Sequence, residues 1–165
     1  MKVKRDRGFT LIELIMVIVL LAVVSVYAAS RYFGKSSFDA QLMEEAVLSS
    51  LRLTQLRAMN RSNLCGRWIL SGNQAIDMAA SITSGACNTV FPGDTSDSSF
   101  VDAEVEDVSI TLNSSSQGFI DFDSLGRPSQ CSAASCTIAI QGQSGTSRFI
   151  CINSEGGIFA NPTSC

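Results

Sequence analysis

Arg7-Gly8-Phe9-Thr10-Leu11-Ile12-Glu13, continuing through Leu14-Ile15-Met16-Val17-Ile18-Val19-Leu20-Leu21 to Ala29, sets the architecture of this chain. From Phe9 to Ala29 the only charge is Glu13. At about 1.5 Å rise per residue, a helix of that length covers roughly 30 Å, the thickness of a bilayer's hydrocarbon. Lys2, Lys4, Arg5 and Arg7 precede it, with Asp6 the one acid among them. The positive-inside preference holds such an end in the cytoplasm and sends the C-terminal part across. A cleaved secretory signal is the competing reading, because Val26-Tyr27-Ala28 has the small residues that signal peptidase accepts. Two features oppose it. The apolar run exceeds the roughly 7 to 15 residues of an ordinary signal core, and Glu13 is a carboxylate in an apolar span, where an acid asks for a partner.

The charge balance agrees with export and argues against nucleic acid. The chain carries 12 basic and 15 acidic residues, net −3. Losing residues 1–8 removes four bases and one acid and leaves the remainder at −6. Such a chain lacks the positive field that neutralises phosphates, so no nucleic-acid partner is expected. Six cysteines, Cys65, Cys87, Cys131, Cys136, Cys151 and Cys165, all follow the apolar segment. An even set in an exported region reads as disulfides. Zinc is disfavoured, since there is no histidine and no pair of C-x-x-C knuckles. Nearest-neighbour pairing is the least assuming of the 15 possible maps: Cys65 with Cys87, Cys131 with Cys136, Cys151 with Cys165.

The segment Arg7 to Glu13 followed by an apolar helix resembles the type III signal of type IV pilins and type II secretion pseudopilins. In that family a prepilin peptidase cuts after the glycine, here Gly8, and methylates the new terminal amine, here that of Phe9. A residue without a side chain gives an extended backbone access to a membrane-embedded protease. The resemblance further implies that the Glu13 carboxylate neutralises the terminal ammonium of a neighbouring subunit, pairing two charges that would otherwise stand alone in apolar surroundings. Registry between subunits would follow. Implied partners are the prepilin peptidase, other major and minor pilins, an inner-membrane assembly platform and, before assembly, membrane lipid. The implied location is a single-pass inner-membrane anchor with a periplasmic head, then the pilus, in a Gram-negative bacterium.

Working outward, no proline occurs between Ala29 and Pro92, and helical composition continues to about Asn60. One long helix from Phe9 to Asn60 is expected, with Gly34 its weakest point. Leu42, Met43, Ala46, Val47, Leu51 and Leu53 fall on one broad face, with Glu44, Glu45, Arg52 and Gln55 largely opposite. Leu48, Leu56 and Met59 stray to the polar side.

Beyond Asn60, Ser, Thr, Asn and Gly separate short apolar runs, the mark of strands and turns. Strands are expected over 66–70, 107–112, 118–123, 137–141, 147–153 and 157–160, the last four as a meander, with no internal repeat. Their apolar faces need a cover, and the C-terminal half of the long helix is the one element large enough. The expected fold is α+β: a long N-terminal α-helix packed on a small antiparallel β-sheet head. The expected organisation is a cleaved leader at 1–8, a transmembrane and filament-core helix at 9–29, an amphipathic helix at 30–60 and a disulfide-containing head at 61–165.

Phe119-Ile120-Asp121-Phe122-Asp123-Ser124-Leu125-Gly126-Arg127-Pro128, followed by two strands, resembles the strand and turn of H-type pseudopilin heads and of minor pilins of the FimT and FimU kind. Among pilin systems the chain is most similar to a minor pilin of the mannose-sensitive haemagglutinin (MSHA) pilus. That resemblance implies a structural subunit needed for pilus assembly. The alternatives are an H-like secretion pseudopilin, which shares every N-terminal feature, and a tip adhesin or binding module.

Catalysis is not expected. Without histidine there is no Ser-His-Asp or Cys-His arrangement, and no other nucleophile has a base beside it. No cofactor is expected either. Calcium on Asp102, Glu104, Glu106 and Asp107, with Asp94 and Asp97 before them, is the one candidate, as in some pseudopilins, but the loop lacks EF-hand spacing and the plainer reading is a solvated strand face. Trp68 is a candidate platform for a sugar or base, against the plainer reading of a core aromatic.

Overall fold

A computed structural model describes residues 10–32, 35–61, 65–78, 87, 90–93, 95–131, 135–143 and 145–165, with side chains from 10–27 and from residue 38 onward. The chain divides into two compact units, residues 1–35 and 36–165.

In the first unit, α1 spans Leu11–Tyr32, 22 residues. Helix α2 spans Lys35–Asn60, 26 residues, all but Lys35 in the second unit. The single helix expected over 9–60 is thus described as two spans. The expected weak point, Gly34, lies outside the described residues.

Eight strands follow: β1 Gly66–Ser71, β2 Gln74–Met78, β3 Val101–Asp102, β4 Ser109–Leu112, β5 Gln117–Phe122, β6 Cys136–Gln141, β7 Ser147–Ile152 and β8 Ile158–Asn161. They form two antiparallel four-stranded sheets, ordered β3-β2-β1-β5 and β4-β6-β7-β8. The expected four-strand meander is therefore corrected. Of those four strands β6, β7 and β8 meander, while β5 pairs with β1 in the other sheet, Trp68 opposite Ile120 and Ile69 opposite Phe119. The sequence reading also lacked β2 and β3. β2 follows β1 across the two-residue turn Gly72-Asn73, and Gly72 has φ +63, a conformation glycine adopts without steric cost.

Alternation sorts each strand's side chains. Trp68 and Leu70 on β1, Ala75 on β2, Ile120 and Phe122 on β5, Ile110 and Leu112 on β4, Ile138 and Ile140 on β6, and Ile150 and Ile152 on β7 join one core with α2. Helix α2 contributes Met43, Val47, Leu48, Leu51 and Ala58 to it. Gly66 starts β1 against this helix, where a Cβ would overlap that of Ala58. A smaller cluster on the other face of the first sheet joins Ile69, Ile76 and Met78 with Phe91, Phe100 and Phe119.

The helical face departs from its expected register. Leu42 is about half exposed, whereas Leu48, placed on the polar side, is buried. Glu44, Ser50 and Thr54 are buried on the helix. The buried stripe runs through Ala40, Val47, Leu51, Thr54 and Ala58, so three polar side chains share the face that apolar pattern alone located too far round.

The cysteines are bonded Cys65–Cys87, Cys131–Cys136 and Cys151–Cys165. These tie the entry of β1 to the segment before Phe91, the β5–β6 connection to β6, and β7 to the final residue.

Candidate assembly site

The N-terminal site begins with a helix cap. Thr10 precedes α1, and its Oγ1 accepts a hydrogen bond from the Glu13 backbone N–H at 3.3 Å. The Thr10 carbonyl accepts from the N–H groups of Glu13 and Leu14 at 3.1 and 3.2 Å. Thr10-x-x-Glu13 has the spacing of a capping box, and an acid in the first turn is favoured by the helix dipole. Glu13 therefore has a local reason for its position in addition to any role between subunits. Gly8 and Phe9 lie outside the described residues.

From Leu11 to Tyr27 every side chain of α1 is exposed, including Leu11, Ile12, Leu20, Leu21, Val24 and Val26. A helix apolar on all faces is made to be covered by lipid or by other helices. Among the described residues no helix is long and apolar enough to cross a membrane. Side chains of α1 are described only to Tyr27, whereas its backbone continues to Tyr32, about 33 Å in all at ~1.5 Å per residue.

In the head, polar groups fasten α2 to the first sheet. Trp68 Nε1 donates to Ser50 Oγ at 3.0 Å, and Ser50 Oγ donates to the Ser99 carbonyl at 2.5 Å. Trp68 is fully buried, which agrees with the plainer reading of a core aromatic and leaves no face of the ring open as a ligand platform. About two turns further along α2, Arg57 Nη1 lies 2.8 Å from both Asp77 Oδ2 and Asp97 Oδ1. The Arg57 hydrogen bond holds Asp97 at about pKa 2, against burial, and bonds from Ser99 assist. Burial pushes Asp77 up despite the same arginine.

Two turns with one hydrogen-bonding pattern meet on α2. Asp123 N–H donates to the Arg127 carbonyl and Asn153 N–H to the Gly157 carbonyl; Gly126 N–H donates to the Asp123 carbonyl and Gly156 N–H to the Asn153 carbonyl. Asp123 Oδ1 accepts from the Leu125 and Arg127 backbone, as Asn153 Oδ1 does from Glu155 and Gly157. Gln55 Nε2 donates to the carbonyls of both Gly126 and Gly156, each at 2.7 Å. The turns touch, since a Cβ on Gly156, at φ +87, would overlap the Gly126 carbonyl. Their sequences correspond too: Phe119-Ile-Asp-Phe-Asp-Ser-Leu-Gly126 and Phe149-Ile-Cys-Ile-Asn-Ser-Glu-Gly156 share Phe, Ile, Ser and Gly at matching positions. The expectation of no internal repeat is corrected by this short strand-and-turn repeat. Its signal was the spacing of Asp/Asn-Ser-x-Gly after two apolar strands.

The acidic run does not form the expected strand. Glu104 to Asp107 make a turn, and only Asp102 is extended, with Oδ2 accepting from Gln74 Nε2 and Oδ1 from the Glu104 N–H, both at 3.0 Å. Asp97 is engaged by Arg57, and Asp94 lies outside the described residues. Among the described residues no three acidic or cysteine side chains gather as metal ligands.

Comparison with known proteins adds two findings. The family described as the prokaryotic N-terminal methylation motif matches residues 3–29. Two crystal structures of the type IV minor pilin FimU from Pseudomonas aeruginosa PAO1 share the fold. One superposes with TM-score 0.53 at 16% identity, covering 76% of this chain and 96% of that chain; the other gives 0.52 at 14%, covering 81% and 95%. No curated protein sequence matches. The chain thus joins a stretch that matches the N-terminal methylation motif to a helix packed on antiparallel sheets, and it shares its fold with the minor pilin FimU.

Proposed function

We propose that this chain is a minor type IV pilin, a structural subunit of an MSHA-like pilus, cut after Gly8 and N-methylated at Phe9. The observation that carries the reading is the methylation-motif match over residues 3–29 directly ahead of a head with the FimU fold. The basic leader stays in the cytoplasm, the residues from Phe9 to Ala29 anchor the subunit in the inner membrane, and the head stands in the periplasm. An assembly platform then draws the subunit from the membrane, and the apolar surface of α1 passes from lipid to neighbouring pilin helices. At roughly 25 cal/mol per Å² of apolar area, burial of that surface supplies cohesion outside the bilayer. Glu13 sets the register by pairing with the terminal ammonium of a neighbour. The function needs no cofactor and no catalysis; the partners are the prepilin peptidase, the platform and other pilins.

Intact mass and N-terminal sequence of the chain recovered from its native membrane test this directly. The expected start is N-methylated Phe9. A start at Ala29 means an ordinary secreted domain and removes the filament mechanism. An uncut Met1 leaves only an anchored head.

A further inference from the structure

Helix α2 buries a carboxylate that is poorly served. Glu44 is 5% exposed at its side chain, and its Oε2 lies 3.7 Å from Arg148 Nη1 on β7. Its Oε1 is buried with no hydrogen-bond partner among the described residues. Arg148 is shared, since its Nη2 donates to Gln41 Oε1 at 3.3 Å. The remaining side chains on this face of the sheet are apolar: Ile110 and Leu112 from β4, Ile138 and Ile140 from β6, Ile150 and Ile152 from β7, with Ile158 of β8 packed against them. Glu45, next on the helix, adds a like charge.

We propose that Glu44 is a proton-operated latch between α2 and the β4-β6-β7-β8 sheet, tight when the carboxyl is neutral and loosened when it ionises. An ionised carboxylate taken from water costs several kcal/mol unless well paired and fully hydrogen-bonded. A single cation at 3.7 Å, shared with Gln41, falls short of that. A protonated carboxyl carries no charge to desolvate and has an O–H to donate. Burial pushes Glu44 above its ordinary value of 4.5, Arg148 pulls it back and Glu45 pushes it further. A group raised in the folded state contributes its full stability below the unfolded value and loses it as pH rises through the folded one. The grip is therefore strongest near pH 4.5 and weaker above.

The test is thermal unfolding of the full chain in detergent between pH 4.5 and 8, followed by the fluorescence of Trp68, the chain's single tryptophan. The readout is the pH course of the difference between variant and parent, because Asp77 also titrates upward in the head. Glu44→Gln is expected to melt about 3 °C above the parent at pH 8, with the gap closing toward pH 4.5. Arg148→Gln should lose more at pH 8 than at pH 4.5, because it leaves the carboxylate alone. A Glu44→Gln difference of either sign that stays constant across this range overturns the proposal. So does an Arg148→Gln loss that ignores pH.

Discussion

The two helices of this chain differ in what folding does for them. On α2, apolar side chains concentrate on one stripe and Val47 and Leu51 are fully buried against the sheets. On α1, apolar side chains cover every face and all those described are exposed. Intramolecular packing satisfies the surface of α2 and leaves that of α1 to another medium, lipid or other helices. Mutations in α2 should therefore register in stability, and mutations in α1 and its leader should register in processing and assembly with the head unaffected.

The largest effect tests that division at the leader. Gly8→Leu should abolish processing, leaving residues 1–8 attached, while the melting temperature of the head is unchanged. Mass spectrometry of membrane-bound chain reads the first and Trp68 fluorescence the second. Normal cleavage of the variant would break the link between the small residue and protease access. Next is Glu13→Ala, expected to leave cleavage and head stability intact and to reduce incorporation into sheared filaments by about tenfold, a loss of ~1.4 kcal/mol per subunit contact. Incorporation equal to the parent would sink the registry role and leave Glu13 as a first-turn acid favoured by the helix dipole.

On α2 the expected readout reverses. Leu51→Ala removes a fully buried side chain and should cost about 2 to 5 kcal/mol in denaturant unfolding. Leu20→Ala, the same chemistry on α1, should cost the head nothing. Equal losses from the two would erase the distinction between the helices. The Cys151–Cys165 bridge closes a sequence separation of 14; replacing both cysteines with alanine should cost about 3 kcal/mol, and an unchanged unfolding midpoint would count against a stapling role.

How far the sequence alone reached follows the same division. The helix Leu11–Tyr32 is legible because a long apolar run without proline or glycine has few other conformations open to it, and the motif matched over residues 3–29 is a local signal. In the head, local alternation located Ile120 and Phe122, Ile138 and Ile140, and Ile150 and Ile152 on strands. Which strand pairs with which is a long-range matter, so β5 was assigned to the wrong sheet. β2 was missed because Asp77 interrupts its apolar run, although the Gly72-Asn73 turn ahead of it was a readable hairpin signal. Glu44, Ser50 and Thr54 were unreadable as core residues. Their burial depends on partners far along the chain, such as Ser99 and Arg148.

The smallest expected effect is electrostatic and lies where α2 meets the first sheet. Asp97 is held at about 2, chiefly by its Arg57 hydrogen bond, against an ordinary value of 3.8. A carboxylate lowered in the folded state stabilises it above pH 3.8, and that contribution is lost as pH falls toward 2. Because the Asp97 side chain is 38% exposed, solvent screening should hold the effect of Asp97→Asn to about 1 kcal/mol or less at neutral pH. The variant and parent should converge as the pH approaches 2, whereas Glu44→Gln and parent converge on approach to pH 4.5. Unfolding curves for the two variants over one pH series separate a pair that favours ionisation from a buried acid that resists it. If the Asp97→Asn deficit persisted undiminished to pH 2, the lost hydrogen bonds from Ser99 rather than the Arg57 charge pair would account for it.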